Sequence, residues 1–277
     1  MQTVLKCFLL IFLCAGVSVY SQEMDKENLV KGFNFIETKV YSEEDNARIL
    51  KLFEGLRVAD VSDGMDMVGL PGTGLVDPEI HAEWIDTKDL SHQFRGIAIT
   101  LRYVPTQKPD RPEPGEKFHD WEGNFYNSYS SEAFTDIIKL GTVVVIDDVE
   151  EKDIGSIGSY NILNWKNLGA VGVVTDANAR DTDEIEIEKV PLYLRNKGRG
   201  IRPGRNELES VNRPVVIGGV LVCPGDIVVA DGDGVIVVPR EKAEQVAKFA
   251  REILTNDKEG RMQLYEKAGL PEDKTVK

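Results

Sequence analysis

The chain is poor in the residues that staple small exported domains and in those that build metal clusters. Of 277 residues only three are cysteine and three histidine. Cys7 and Cys14 fall in an apolar run near the start, so Cys223 alone belongs to the body of the chain, and a single thiol supports no internal disulfide framework. His81, His92 and His119 show no ligand spacing, which argues against a histidine-built zinc site. Positive charge is also scarce: 33 Lys and Arg against 47 Asp and Glu leave a net charge of −14, or −15 once Lys6 is removed. That balance argues against nucleic acid and anionic membrane surfaces as partners. Glycines between Gly69 and Gly74 lack the spacing and strand-to-helix setting of a dinucleotide fingerprint, which removes a nucleotide-dependent methyltransferase.

The one leading apolar run, Cys7 to Val19, is too short for a comfortable membrane span. With Lys6 before it and Ser18-Val19-Tyr20-Ser21 after it, residues 1–21 read as a signal peptide cut near Ser21 or Gln22. Tyr20 is a poor residue beside a cleavage site, so an uncleaved anchor is the alternative. The expected destination is periplasmic or extracellular, with no stable membrane association after cleavage. A mature chain of about 255 residues is long enough to bury a core. Cys223, in an apolar strand-like run, is expected to be buried and inert.

The pattern then divides the chain into a helical segment (22–56), an α/β body (57–240) with an insert near 105–130, and a C-terminal helix and tail (241–277). Ser42 with Glu43, Glu44 and Asp45 marks a helix start. The acids of Val58–Asp66 suit a helix start better than a catalytic role. Gly96–Val104 alternates as a strand, and Ser131–Leu140 is read as a short amphipathic helix. Residues 105–130 carry prolines and then aromatics, the mark of an inserted loop anchored by Trp121, Phe125 and Tyr126 rather than a His119-Asp120 metal pair. The apolar run Thr142–Ile146 implies a strand covered on both faces. Arg195, Lys197, Arg199, Arg202 and Arg205 form a local basic patch suited to attracting an anion or to ion pairs between subunits. Pro214–Arg240 reads as three β-runs with turns at Pro224-Gly225-Asp226 and Asp231-Gly232-Asp233-Gly234.

The chemistry concentrates in Gly155–Glu184, where a glycine-punctuated turn, a helix (Tyr160–Leu168) and a buried strand (Ala170–Thr175) lead to Arg180 and Asp181. A loop past the carboxyl end of such a strand is where α/β proteins place their sites. Arginine grips a carboxylate through a fork of donors, and a neighbouring aspartate holds a hard cation through oxygen. A solvated Arg-Asp pair is the plain alternative on the dipeptide alone.

Gly155, three residues, position 159, twenty residues and then Arg180-Asp181 resemble the Gly-x3-Asp/Glu-x20-Arg-Asp signature of the RraA-like proteins. These include metal-dependent 4-hydroxy-4-methyl-2-oxoglutarate aldolases and proteins labelled dimethylmenaquinone methyltransferases. The resemblance runs from about Val58 to the end of the chain. It implies an α/β fold of the swivelling β/β/α kind and assembly as a homotrimer or hexamer. It also implies a divalent metal, Mg2+ or Mn2+, at Asp181, and an anionic small-molecule substrate held by Arg180 and by the backbone of Gly155, Gly158, Ser159 and Tyr160. Ser159 stands where the aldolases carry an acid. Glu259 matches the glutamate that an adjacent subunit supplies in those enzymes. The implied activity is a lyase, aldolase or decarboxylase, acting on a 2-oxo acid or keto-sugar-derived acid. The alternatives are a non-catalytic scaffold or a different metal-dependent enzyme acting on an oxidised sugar.

Overall fold

Strands that are apolar at successive positions give this chain a sheet with two buried faces. The computed structural model describes residues 26–108, 111–112, 114–115, 117–148 and 153–277; the expected signal segment, 1–21, lies outside the described residues. The chain divides into two units, Met1–Glu37 and Thr38–Lys277. The described part of the first holds a short helix, α1 (Lys26–Lys31), with a Lys31–Glu27 ion pair and an edge-to-face Phe33–Phe35 contact.

In the second unit the order is α2 (Glu43–Phe53), α3 (Val58–Met67), β1 (His81–Ala82), β2 (Phe94–Pro105), α4 (Lys117–Tyr129), β3 (Thr142–Asp147), α5 (Ser159–Leu168), β4 (Ala170–Thr175), β5 (Asn178–Ala179), α6 (Thr182–Ile187), β6 (Leu192–Leu194), β7 (Asn196–Lys197), β8 (Asn206–Val211), β9 (Val215–Ile217), β10 (Val220–Val222), β11 (Ile227–Asp231), β12 (Gly234–Val238) and α7 (Ala243–Ala268). The main sheet runs β1-β6-β4-β3-β2-β11-β12, with β8 pairing the far half of β2. Strands β2, β3, β4 and β6 are parallel, and the β11–β12 hairpin returns antiparallel against β2. The sheet curls almost closed, because Leu75, on the segment leading into β1, bridges Ile236 of β12. This is the mixed α/β, RraA-like architecture that the resemblance implies.

The period of two decides which core each side chain enters. Val143 and Val145 of β3, Val228 and Ala230 of β11, and Val235 and Val237 of β12 point to an inner core shared with Val215, Ile217 and Val222 of the β9–β10 hairpin. Their neighbours point the other way. Val144 and Ile146 join Ile162 and Trp165 of α5, while Ile227, Val229, Ile236 and Val238 join the faces of α2, α3 and α7. A one-residue slip would exchange these sets, so the register is strongly specified.

Several local expectations are corrected. Ser131–Leu140 holds only a 3-10 turn, Thr135–Ile137, because Phe134 and Ile138 are drawn into the core. The insert is not all loop: β2 extends to Pro105, and Lys117–Tyr129 is helical, with Phe118, Trp121, Phe125 and Tyr129 in a chain of ring contacts. Pro214–Arg240 holds four strands rather than three runs, since Gly218 and Gly219, both at positive φ, split the first into β9 and β10. Cys223 is only half-buried; burial raises its pKa, so the thiol stays protonated and a poor nucleophile. The acids of α3 behave as a helix start: Asp60 is buried, and the Arg57 N–H and guanidinium donate to it.

One buried histidine makes stability depend on pH. His92 is buried beside Trp84, and its Nδ1 accepts the Asp86 N–H at 3.1 Å. Burial lowers its pKa against the opposing pull of Asp231 and Asp86. The unfolded chain therefore takes up a proton first as pH falls through about 6.5, and stability is lost on acidification from that point. Urea midpoints should fall between pH 7 and pH 5, and His92→Asn should flatten that part of the dependence.

Candidate functional site

The site forms where three loop segments lock together at the carboxyl ends of β3 and β4. Thr175 Oγ1 donates to the Ile146 carbonyl, and the Asp148 N–H donates to Asp176 Oδ1 at 3.2 Å, joining the ends of the two strands. The segment 154–158 is then held on both sides. The Ser156 N–H donates to the Asn178 carbonyl and the Arg180 N–H to the Ile157 carbonyl at 2.8 Å, while the Gly155 N–H donates to the Gly200 carbonyl at 2.8 Å.

This clamp explains the signature glycines. A Cβ at Gly155 would lie 2.6 Å from the Arg180 Cβ and 2.9 Å from the Gly198 carbonyl oxygen, so only glycine fits. A Cβ at Gly158 would lie 2.6 Å from Asp181 Oδ2, the movable end of a side chain. Gly158 has an extended φ of −122° that any residue adopts. Gly158→Ala is therefore expected to change stability by less than about 1 kcal/mol while displacing the Asp181 carboxylate. Comparing kcat/KM with the melting temperature separates the two effects.

Arg180 and Asp181 meet as the sequence suggests, with Nε 3.7 Å from Oδ2, an ion contact too long for a hydrogen bond. Asp181 is in the left-handed region, φ 58° and ψ 38°, at the start of α6. Such a conformation costs a non-glycine residue of order 1 kcal/mol, and aspartate is among the residues that adopt it most readily. Both side chains line a cleft of about 550 Å³ with Asp183, Glu184, Lys197 and Arg199. A larger groove of about 730 Å³ lies at the opposite, amino-terminal ends of β2 and β4, beside Leu50, Arg95 and Lys166. Ligands of open α/β sheets bind at the carboxyl ends, which favours the smaller cleft.

The other expected residues divide. Gly158 and Ser159 stand at the start of α5, where the Gly158 N–H donates to Asn161 Oδ1 at 3.3 Å, and Ser159 is half-buried. Tyr160 points outward, 84 % exposed, so only its backbone belongs to the site. Glu259 is exposed on α7, which packs against α2 and α3, and it does not line the cleft. The basic patch is largely neutralised inside the chain: Arg195 pairs with Asp77 and Glu79, Lys197 with Glu83, and Arg199 with Asp153. Arg202 is buried rather than exposed. No local signal marks it, because a Gly-rich basic loop looks solvated and its partner Tyr103 lies 99 positions away.

Among the described residues, no group of three or more His, Cys, Asp or Glu side chains is placed to hold a metal. The donor set nevertheless fits a hard cation bound through one carboxylate. Asp181 is 41 % exposed, and no hydrogen bond reaches its carboxylate among the described residues, so apart from the 3.7 Å contact with Arg180 its oxygens are open to the cleft. Mg2+ is usually bound by one or two carboxylates and otherwise by water and substrate.

An almost closed mixed sheet carrying an Arg-Asp pair past its third parallel strand defines a swivelling β/β/α protein with a polar cleft at the carboxyl ends of its strands. Residues 58–237 match the RraA-like family, described as Aldolase/RraA, and the chain belongs to that family. Protein DlpA of Legionella pneumophila is 26% identical over 223 residues, covering 79% of this chain and 32% of DlpA. A protein of Halalkalibacterium halodurans, provisionally named as a 4-hydroxy-4-methyl-2-oxoglutarate aldolase, is 31% identical over 118 residues, covering 42% of this chain and 55% of that protein. The matches thus span only about a third to just over half of these curated relatives. The crystal structure of Streptomyces coelicolor RraAS2, titled an unusual member of the RNase ES inhibitor RraA family, shares the fold with a TM-score of 0.64 at 22% identity, covering 79% of this chain and 98% of that one.

Proposed function

We propose that the chain is a divalent-metal-dependent lyase that breaks a carbon–carbon bond beside a 2-oxo acid, by retro-aldol cleavage or decarboxylation. The observation that carries this reading is the open Asp181 carboxylate held beside Arg180 in a cleft. Arg180 binds the carboxylate or ketone oxygen of the substrate through its guanidinium edge. The backbone N–H groups at the start of α5, around Ser159 and Tyr160, orient the same carboxylate toward a helix amino terminus. Asp181 would hold Mg2+ or Mn2+, which would supply Lewis-acid stabilisation of negative charge developing on the oxo acid.

Ser159 provides a neutral hydroxyl where the resembling aldolases have an acid, and a hydroxyl does not replace a carboxylate as an acid or base at neutral pH. Asp183 or Glu184 on the rim of the cleft, or Glu259 from a second copy in a trimer or hexamer, takes that part. The name of the Halalkalibacterium relative supports aldolase chemistry. The reading includes export after cleavage near Ser21 or Gln22, which amino-terminal sequencing of the mature protein would check.

The test is release of pyruvate from oxaloacetate and a panel of 4-hydroxy-2-oxo acids, with Mg2+ or Mn2+ and with chelator. Release that needs the metal supports the lyase. No release from any acid and no metal bound at dialysis equilibrium would leave the scaffold reading instead.

A further inference from the structure

The groove of about 730 Å³ at the amino-terminal ends of β2 and β4 shares no lining residue with the cleft of Arg180 and Asp181. Glycines make room for its apolar floor. A Cβ at Gly172 would lie 2.3 Å from the Phe94 ring, and one at Gly141, itself at φ 85°, would lie 2.6 Å from Leu50 Cδ1. Glycine at these two places lets Phe94 and Leu50 settle onto the strand ends, where Val171 and Pro191 also line the groove.

Three cations, Lys51, Arg95 and Lys166, line the same groove against one acid, Glu54. That local excess runs against a chain whose net charge is −14. Arginines elsewhere that leave water find acids: Arg57 pairs with Asp60, Arg195 with Asp77, and Arg240 with Asp45. The groove cations form no ion pair among the described residues. Lys166 donates instead to the carbonyls of Glu188 and Lys189. Arg95 is half-buried, and its Nε donates to the Leu56 carbonyl at 2.7 Å, a structural tie just past the end of α2. Its Nη2 lies 3.4 Å from Gln93 Oε1, and Nη1 donates to no group among the described residues. Burial lowers the Arg95 pKa against the pull of Asp231, so the charge is held at a cost that no adjacent carboxylate offsets.

Charge and apolar surface together select the ligand. A small inorganic anion would leave the floor of Phe94 and Leu50 in water, and an uncharged apolar molecule would leave the guanidinium without a counter-ion. We propose that this groove is a second binding site, for an aliphatic monocarboxylate whose carboxylate meets Arg95 and whose alkyl chain lies over Leu50, Phe94 and Val171. The proposal does not depend on the lyase reading, which concerns the opposite end of the strands.

Calorimetric titration of the full purified chain compares octanoate with 1-octanol, which lacks the charge, and with acetate, which lacks the chain. Octanoate should bind at least about 10-fold more tightly than the alcohol, the value of a charge-assisted hydrogen bond. It should also exceed acetate by at least about 10-fold, through burial of its additional methylene groups. Arg95→Met should bring octanoate to the affinity of the alcohol. Ala47 is exposed on α2 and lines the groove, so Ala47→Trp should fill the chain's path and weaken octanoate at least about 10-fold, with a melting temperature within about 2 °C of the unmodified protein. Arg180→Met should leave octanoate affinity unchanged. Should Arg95→Met fail to fold by circular dichroism, Ala47→Trp decides alone. Octanoate binding no tighter than either comparison compound, unchanged affinity in either folded groove variant, or lost binding in Arg180→Met overturns the proposal. Pyruvate release without octanoate binding would sink the groove site alone, and octanoate binding without release from any oxo acid would sink only the lyase reading.

Discussion

Asp181→Asn is expected to abolish metal-dependent pyruvate release while the protein stays folded with an unchanged melting temperature. The loss should exceed the ~10–100-fold that removal of even an outer-shell partner costs a metal site. The argument is local. The carboxylate receives no hydrogen bond among the described residues and contacts Arg180 only at 3.7 Å, so folding gains little from its charge. Asparagine tolerates the left-handed conformation that Asp181 adopts, so the exchange keeps the backbone of the loop. What disappears is the anionic oxygen that the lyase reading assigns to the cation. Steady-state rates with increasing Mn2+ read this directly, and a variant that keeps its rate at saturating metal would remove Asp181 from the chemistry.

Trp165→Ala should destabilise the protein by about 3–5 kcal/mol, the range for truncating a fully buried aromatic, and should lower activity in the fraction that remains folded. Trp165 is fully buried on α5, with its ring centre 5.3 Å from that of Phe134. Its indole N–H donates to Glu132 Oε2 at 3.1 Å, and the other oxygen of Glu132 accepts the Asn161 amide, whose Oδ1 accepts the Gly158 N–H. The cavity would therefore open under the helix that presents Gly158 and Ser159, and the hydrogen-bonded tie to the signature turn would slacken with it. Urea unfolding with an unchanged slope and a much lower midpoint is the expected record. A loss below about 1 kcal/mol would mean that the site turn does not depend on this packing.

The strands and the signature were readable because each is a local pattern. Val143–Ile146 and the two strands within Val228–Val238 are so continuously apolar that burial on both faces follows from the pleat, and the spacing from Gly155 to Arg180-Asp181 is a matter of counting residues. Ser131–Leu140 misled because its apolar residues are spaced as on a helix, yet Phe134 and Ile138 are pulled into the core from either side of a single tight turn. The insert misled in the opposite sense: its prolines suggested loop, and they fall before Lys117, where an aromatic ladder makes a helix worthwhile.

Charges were the least legible. Five cations in one glycine-rich loop form a patch in sequence, but acids from distant segments, Asp77, Glu79, Glu83 and Asp153, neutralise three of them. Whether Arg202 is solvated or buried depends on Tyr103, which lies 99 positions away. By itself the sequence determined the apolar strand runs, the family signature and the acidic balance, since these are properties of neighbours and of totals. The tertiary structure alone decided which charges find partners and which do not, because ion pairing and desolvation depend on distances that only the folded chain sets.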